Sequence, residues 1–330
     1  MVWTSLQVKY TLLQRLCLYF IKLGPIPQHI GFIMDGNRRF AASNCLQTAE
    51  GHSRGFSKLS ETIQWCKDLG VKEITVYAFS VENFNRDPEE VSFLFTLATE
   101  KLNELLSKLE DLCSSGLRIR LIGNLSMLPL RIQRLGCELM LKTRHNTAVT
   151  LNVCMAYGSR DELTESVEHL RVAVRDGLIH PSDIDPDLLS ACLYTRSSLP
   201  LDLLIRTSGE VRLSDFLVWQ SAYFGSVHKF VENYWPVFSF WNFLAAVFHY
   251  QVSVTYLSKF SLFVVDPTPQ QRVASSSATN KKRSSRIQSF LAHLDQSYWE
   301  DVEKRTILTL NSLNSDPRCA QRSAGDSPLP

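Results

Sequence analysis

The feature that most constrains this chain is an apolar run that ends abruptly in polar residues. Residues 29–40 read His-Ile-Gly-Phe-Ile-Met-Asp-Gly-Asn-Arg-Arg-Phe. The run from Ile30 to Met34 predicts a short buried strand, and the Asp-Gly that follows indicates a turn, because glycine accepts backbone angles that branched residues do not. A carboxylate and two guanidiniums therefore emerge at the carboxyl end of a strand, where open α/β sheets bind their ligands.

A carboxylate beside two arginines suits a metal-bridged phosphate. A hard cation prefers carboxylate oxygens, and the fork of an arginine side chain binds phosphate oxygens. The same residues also fit an ordinary turn whose arginines face water, and on this stretch alone that interpretation is the simpler one. What separates the two is whether other strands end in similar groups.

Two later strands do end in this way. Residues 73–79 predict a strand that is followed by Ser80 to Arg86, and residues 201–205 predict another that leads directly into Arg206-Thr-Ser-Gly-Glu-Val-Arg-Leu-Ser214. Such a loop can offer backbone N–H groups and guanidiniums to a phosphate. Three strand ends that carry arginine weaken the solvated-loop interpretation of any one of them.

Strands and helices alternate through most of the chain. Strands are predicted at 30–34, 73–79, 117–122, 149–155, 201–205 and 226–231, and helices at 52–69, 88–115, 129–145, from about 160 to 176, 185–193 and 240–250. Such alternation implies parallel strands joined by crossover helices. The predicted fold is α/β, with a central, mostly parallel six-stranded sheet flanked by helices.

His52 lies near the start of its helix, where it fits an anion site or a simple capping histidine equally well.

The two ends of the chain differ from this alternating part. Residues 1–24 predict an amphipathic helix that packs on the body or lies on a membrane surface, because its charges divide it into stretches far shorter than the ~20 residues that span a bilayer. Residues 266–286 predict a flexible linker, and 287–313 predict one amphipathic helix. We therefore expect one domain at 25–262, followed by a linker and a helical or disordered tail at 263–330.

Composition excludes several functional classes. Lys+Arg number 35 and Asp+Glu 33, a formal net charge of +2, so no global basic field indicates a nucleic-acid partner. The eight cysteines form no C-x-x-C pair, which favours reduced thiols in a cytosol-facing protein over a zinc site or a disulfide framework.

Asp183-Ile-Asp-Pro-Asp187 resembles the start of a calcium loop, but Leu188 replaces the required glycine and Tyr194 the required glutamate. We interpret it as a turn with a helix cap.

Five segments together resemble the cis-prenyltransferases. They are HIGFIMDGNRRFA, EGH at 50–52, YAFSVENFNR at 77–86, LNVCMAYGSR at 151–160 and DLLIRTSGEVRLSDFLVWQ at 202–220. The resemblance covers about residues 25–250 and is strongest to the eukaryotic catalytic subunits of the family. It implies an undecaprenyl diphosphate synthase-like fold with a hydrophobic tunnel, so that 25–262 would be the catalytic domain.

The resemblance also implies an activity. Such prenyltransferases elongate farnesyl diphosphate with isopentenyl diphosphate in cis isoprene units, with Mg²⁺ as cofactor. The product would be a long-chain polyprenyl diphosphate for dolichol synthesis and protein glycosylation. The chemistry agrees with the residues found independently, because Mg²⁺ and arginines stabilise a departing diphosphate, and the nucleophile is the double bond of isopentenyl diphosphate.

Roles are carried over by position in the matching motifs. Asp35 would be the Mg²⁺ ligand and, with Asn37 and Arg39, a catalytic residue. The allylic diphosphate would be lined by Gly36, Asn37, Arg38, Arg39 and His52. Isopentenyl diphosphate would be held by Arg86, Arg206, Arg212 and Ser214, with Ser80 and Asn83 nearby.

Two departures bear on assembly. Bacterial single-subunit members carry a metal-binding glutamate where this chain has Gly225, and they end in an Arg-x-Gly motif that this C-terminal region does not contain. Eukaryotic catalytic subunits also lack the glutamate and the Arg-x-Gly motif. They pair with a non-catalytic relative, the Nogo-B receptor type subunit. The resemblance therefore implies this partner, together with the two diphosphate substrates, a membrane surface and no nucleic acid.

An insoluble polyprenyl product implies release into a bilayer, and the resemblance places the protein at the cytosolic face of the endoplasmic reticulum membrane. The alternative is a non-catalytic scaffold subunit of the same fold. A scaffold should lose the metal-binding acid and the arginine clamps. This chain keeps all of them, namely Asp35, Arg38, Arg39, Arg86, Arg206 and Arg212, so the enzyme is favoured.

Overall fold

Six strands form the central sheet of the computed structural model, which describes residues 9–258 and 281–314. Every neighbouring pair is parallel, and the order across the sheet is β3-β4-β2-β1-β5-β6. The strands are β1 His29–Ile33, β2 Glu73–Ser80, β3 Leu117–Ile122, β4 Val149–Tyr157, β5 Leu203–Arg206 and β6 Val227–Phe230. The predicted six-stranded parallel sheet flanked by helices is confirmed.

Eleven α-helices lie within the described residues. They are α1 Leu12–Ile21, α2 Asn37–Ser43, α3 Thr48–Leu69, α4 Pro88–Ser107, α5 Leu109–Ser114, α6 Leu130–Lys142, α7 Ser159–Arg175, α8 Pro186–Ser190, α9 Val218–Phe224, α10 Phe240–Ser258 and α11 Lys281–Asn314. Helix α4 begins with Pro88 in its first turn, where a missing N–H costs nothing, and the Asp87 side chain accepts a bond from the Glu89 N–H at 2.8 Å.

The helices of the structure differ from the predicted ones in several places. The single helix predicted at 88–115 is two helices, α4 and α5, because Lys108 between them leaves the helical region with φ −119°. Helices α2 and α9 were not predicted, since each is only seven residues long and follows a polar loop. The turn and cap predicted at 183–187 are confirmed, because the Asp185 side chain accepts the Leu188 N–H at 2.8 Å.

Both faces of the sheet are covered, so all five residues of β1 are buried. On one face, apolar side chains of α3, α4, α6 and α10 form a continuous core with Phe32, Trp65 and Trp235. Trp235 stacks on Phe238 with ring centroids 5.5 Å apart, and its Nε1 donates to the Gly55 carbonyl at 2.7 Å. These contacts fix the segment after β6 against the first turns of α3.

Helix α11 packs against the body of the domain. Ile287, Phe290 and Leu294 are buried against α7 and α8. The carboxylate of Asp183 accepts two bonds from Arg286 at 2.9 and 3.0 Å. The helix begins at Lys281, six residues before its predicted start, so the predicted linker is shorter than expected. The rest of the predicted linker, residues 266–280, lies outside the described residues, as do residues 1–8 and 315–330.

Helix α1 rests on α10, where Gln251 Nε2 donates to the Ile21 carbonyl at 2.7 Å. The opposite side of α1 exposes Leu12, Leu13, Leu16 and Phe20. Among residues 9–258 and 281–314, none of the helices combines the length and apolar character needed to cross a membrane.

The sheet order creates a crevice at one place. Strands β1 and β5 are neighbours in the sheet. The strand that follows β1 in the chain, β2, lies on one side of this pair, and the strand that follows β5, β6, lies on the other side. Ligands of open α/β sheets bind beside such a reversal, outside the carboxyl ends of the strands. Asp35 follows β1 and Arg206 ends β5, so the fold delivers both to this crevice.

Two glycines hold the same unusual backbone angle in different surroundings. Gly36, which precedes α2, and Gly70, which ends α3, both have φ +102°. A Cβ on Gly36 would lie 2.7 Å from Cδ1 of Tyr234, whereas a Cβ on Gly70 would meet nothing within 4 Å. Both sites favour glycine for its backbone freedom, but only Gly36 is also enclosed.

This difference can be measured with the matched variants Gly36→Ala and Gly70→Ala. Both impose left-handed backbone on alanine at about 1–2 kcal/mol. Only Gly36→Ala also forces Tyr234 to move, at about 1–3 kcal/mol more. We expect urea denaturation to show the larger loss of unfolding free energy for Gly36→Ala. Equal losses for the two variants would contradict the enclosure of Gly36.

Candidate active site

The loop after β1 is held by backbone contacts from two other segments. The Asp35 carbonyl accepts a bond from the Trp235 N–H at 3.0 Å and another from Thr207 Oγ1 at 2.8 Å. These bonds tie the loop to the end of β5 and to the aromatic core. The Asp35 side chain is therefore positioned by the fold and not by its own short turn.

The Asp35 carboxylate lies between two guanidiniums. Its Oδ2 accepts a hydrogen bond from Arg206 Nη2 at 2.8 Å and lies 3.2 Å from Arg39 Nη2. Burial opposes ionisation here, but the hydrogen bond and charge of Arg206, helped by Arg39, outweigh it and lower the pKa of Asp35. The result is an ionised carboxylate at the crevice, with 28% of its side chain exposed.

Arg206 is the buried member of this group, with only 3% exposure. Its Nη1 donates to Ser214 Oγ at 2.8 Å and to the Arg212 carbonyl. The loop that follows β5 is thus folded around the Arg206 side chain. Four of its non-glycine residues have positive φ, namely Ser208, Ser214, Asp215 and Leu217, and such backbone is retained only where surrounding contacts hold it.

Glu210 closes the first ionic cluster, which comprises Asp35, Arg39, Arg206, Glu210 and Arg212. Its Oε1 lies 2.9 Å from Arg39 Nη1, and its Oε2 pairs with Arg212. Arg39 and Arg212 are 44% and 62% exposed, unlike the buried Arg206. Glu210 was not among the predicted site residues, since a glutamate in an arginine-rich loop gives no signal of its own in the sequence.

A second ionic cluster lies around Glu90 in the first turn of α4. Its carboxylate pairs with Arg86 at 2.9 Å, with His52 at 3.5 Å and with Arg38 at 3.6 Å. Burial lowers the pKa of His52, and Arg86 and Arg38 lower it further, while Glu90 opposes them. Glu90 was also missed, because its partners are separated from it by up to 52 positions in the sequence.

The remaining predicted residues lie at the same crevice. Ser80 and Asn83 form a reciprocal cap on the turn after β2, each side chain bonding the other's backbone N–H at 3.1 Å. Asn37 donates to the Met34 carbonyl at 3.2 Å, while its Oδ1 is buried and has no hydrogen-bond partner in the described residues. The structure therefore brings every predicted site residue to the carboxyl ends of β1, β2 and β5.

A cavity of about 550 Å³ runs inward from this crevice. Its mouth is lined by Asp35, Asn37, Arg38, His52, Ser80, Asn83, Arg86, Arg206, Arg212 and Ser214. Its interior lies between the sheet and helices α3 and α4 and is almost entirely apolar, with Phe56, Leu59, Val76, Phe95, Ala98, Leu102, Leu105, Ile119, Leu121, Leu151 and Val153. A charged mouth above an apolar interior suits a ligand with an anionic head and a hydrocarbon tail.

The donor set at the mouth can be compared with the needs of Mg²⁺. Within residues 9–258 and 281–314 no group of three or more His, Cys, Asp or Glu side chains is placed to hold a metal ion. Magnesium bound with a phosphate substrate needs fewer, because one or two carboxylates suffice when phosphate oxygens and waters complete the octahedron. The ionised, partly exposed Asp35 fits that arrangement.

Comparison with known proteins agrees with this architecture. The family model for undecaprenyl diphosphate synthase matches residues 33–256. The human dehydrodolichyl diphosphate synthase complex subunit is 44% identical over 269 residues, 82% of this chain and 80% of the human protein. The tritrans,polycis-undecaprenyl-diphosphate synthase of Methanopyrus kandleri is 40% identical over 250 residues, 76% of this chain and 91% of that protein.

Solved structures show the same fold. Lavandulyl diphosphate synthase from Lavandula x intermedia, in complex with dimethylallyl diphosphate, is similar with a TM-score of 0.64 and 30% identity, over 68% of this chain and 95% of that one. A probable undecaprenyl diphosphate synthase from Campylobacter jejuni follows with a TM-score of 0.55 and 26% identity, over the same shares of the two chains. On these matches, the chain belongs to the undecaprenyl diphosphate synthase family of cis-prenyltransferases.

Proposed function

We propose that this chain is a catalytic cis-prenyltransferase subunit that elongates farnesyl diphosphate with isopentenyl diphosphate to a long-chain polyprenyl diphosphate for dolichol synthesis. The observation that carries the proposal is the pairing of Asp35 with Arg206 at the mouth of an apolar cavity. Relatives named as dehydrodolichyl diphosphate synthase complex subunits support the product class. The lavandulyl diphosphate synthase structure, which holds an allylic diphosphate, supports the substrate class.

Two diphosphates need two sets of basic groups, and each set draws residues from both ionic clusters. Asn37, Arg38, Arg39 and His52 lie on or beside α2 and α3 and would line the allylic diphosphate with Gly36. Arg86, Arg206, Arg212 and Ser214 would hold isopentenyl diphosphate, with Ser80 and Asn83 fixing the turn that carries Arg86. Guanidiniums placed in advance stabilise the charge that develops on the leaving diphosphate.

Asp35 would hold Mg²⁺ against the allylic diphosphate, where the ion supplies a Lewis acid that neutralises the leaving group. Arg206 keeps the Asp35 carboxylate ionised and orients it toward the cavity mouth. The apolar interior receives the hydrocarbon tail and excludes water from the allylic carbon. We assign catalysis to residues 25–262 and treat 1–24 and 263–330 as accessory.

We further propose that the chain acts with a non-catalytic subunit of the Nogo-B receptor type. The relatives that are named as complex subunits support this proposal. It also rests on the family resemblance, which implies a metal-binding glutamate in single-subunit members where this chain has Gly225. The exposed apolar side of α1 supports docking on a membrane, which we place at the cytosolic face of the endoplasmic reticulum.

The variant Asp35→Asn tests the catalytic proposal. It keeps the shape of the side chain but removes the charge that would hold the metal, so we expect kcat/KM with farnesyl and isopentenyl diphosphates to fall by at least about 100-fold. The assay measures incorporation of radiolabelled isopentenyl diphosphate by the complex with its partner. Asp176→Asn, which alters an exposed carboxylate paired with Arg175, should leave the rate unchanged. A complex that turns over equally well with Asp35→Asn would establish the scaffold alternative.

The partner proposal is tested with the unmodified chain. Purified alone, it should incorporate almost no isopentenyl diphosphate, and addition of the partner subunit should restore elongation. Products resolved by chain length would show whether restoration yields long polyprenyl chains. Full activity of the chain as a lone homodimer would refute the requirement for a partner.

The double variant Leu13→Glu/Phe20→Glu tests membrane docking by α1. Burying one such side chain is worth about 1.5–3 kcal/mol, so replacing both should weaken binding to phospholipid vesicles by about tenfold or more. Co-sedimentation with vesicles measures the effect. The control Val167→Glu changes an apolar residue of similar exposure on α7. It should bind vesicles as the unmodified chain does. Undiminished sedimentation of the double variant would rule out α1 as the contact.

A further inference from the structure

Glu90 is a negative charge placed among the groups that would bind a negative ligand. Its carboxylate lies within 4 Å of nitrogens on Arg86, His52 and Arg38, and its side chain is only 13% exposed. All three partners line the cavity mouth. Glu90 is not among the residues proposed to bind the two diphosphates. A carboxylate beside these cations would oppose diphosphate binding, so it must serve another purpose.

The three partners come from separate elements. Arg38 is on α2, His52 is on α3, and Arg86 follows the turn after β2. Without a central anion, the two guanidiniums would repel each other beside the partly buried imidazole. Glu90 is thus the anion common to all three: it accepts a hydrogen bond from Arg86 and lies 3.5 Å from His52 and 3.6 Å from Arg38.

An incoming diphosphate would need the same donors. Arg86 Nη1 is engaged by Glu90 Oε1 at 2.9 Å, a distance that leaves no room for a phosphate oxygen between them. The backbone at this point is fixed by the Asp87 cap of α4 and by the reciprocal cap of Ser80 and Asn83. Exchange therefore involves the Glu90 side chain, whose torsions can change without movement of the helix.

We propose that Glu90 is a positioning residue that acts as an internal counter-anion: it holds Arg38, His52 and Arg86 together before substrates bind and gives way to the diphosphates that these residues would bind. The identity of the ligand rests on the proposed function. The exchange has a consequence for turnover, because a carboxylate that competes for the same donors weakens diphosphate binding. It therefore favours release of the pyrophosphate formed in every elongation step.

The test is calorimetric binding of inorganic pyrophosphate to the full chain and to Glu90→Gln. Glutamine keeps the size and an acceptor oxygen but removes the competing charge. We expect pyrophosphate to bind Glu90→Gln about three- to tenfold more tightly at low ionic strength, with the gain shrinking as salt screens the charges. Glu89→Gln is the matched control, because it makes the same change at an exposed position one residue away.

A second readout follows the His52 ring by NMR titration. The Glu90 charge raises the pKa of His52 against burial, Arg86 and Arg38, so Glu90→Gln should lower that pKa and Glu89→Gln should not. A purely structural role of Glu90 predicts no tighter pyrophosphate binding. Equal or weaker binding by Glu90→Gln, an equal gain in Glu89→Gln, or an unmoved His52 pKa would each overturn the proposal.

The outcome is separable from that of the proposed function. Tighter pyrophosphate binding by Glu90→Gln, in a chain that transfers no prenyl group even with its partner, would support the counter-anion and reject the synthase. Absence of pyrophosphate binding in the unmodified chain would overturn the exchange itself.

Discussion

The structure of the site depends on the contact between Arg206 and Asp35. Arg206 is almost completely buried at the end of β5, and a guanidinium removed from water must be neutralised where it lies. Asp35, on the neighbouring strand end, supplies the charge at 2.8 Å. β1 and β5 adjoin where the chain connections diverge to opposite sides of the sheet. This one pair therefore fixes the two strand ends between which the crevice opens.

Other features are arranged around that pair. The loop from 207 to 214 wraps the Arg206 side chain through Ser214 and the Arg212 carbonyl, and its positive φ angles are retained because these bonds hold them. On the opposite side, Thr207 and Trp235 bond the Asp35 carbonyl, which connects the crevice to the buried aromatic core. Disturbance of the core near Trp235 would therefore reach the Asp35 carboxylate through one backbone bond.

The strands could be predicted from the sequence because burial on both faces leaves a direct signal. In β1 and β3 nearly every residue is apolar or buried, and a polar residue or glycine marks each end. The short helices could not be predicted in this way. Helix α2 begins at Asn37 with two arginines, a composition that also fits a turn, and it forms because Gly36 and the packing of Phe40 and Ala41 hold it.

The candidate site shows a similar division. Arginines at strand ends are visible in the sequence because sheet topology brings such ends together whatever the intervening distance. The carboxylates that balance them are not, because Glu90 and Glu210 acquire partners only through the tertiary fold. Sequence reasoning therefore found the cations and Asp35, and it missed Glu90 and Glu210, the other two carboxylates that pair with those cations.

That asymmetry has a physical origin. A site built to bind two diphosphates must concentrate positive charge, yet the ligand-free protein must fold without the ligand's charge. The structure meets both needs by pairing each arginine of the mouth with a carboxylate: Asp35 with Arg206 and Arg39, Glu210 with Arg39 and Arg212, and Glu90 with Arg38 and Arg86. Diphosphate oxygens must then replace carboxylate oxygens as partners of these guanidiniums. Its affinity depends on how well each carboxylate competes for the shared donors.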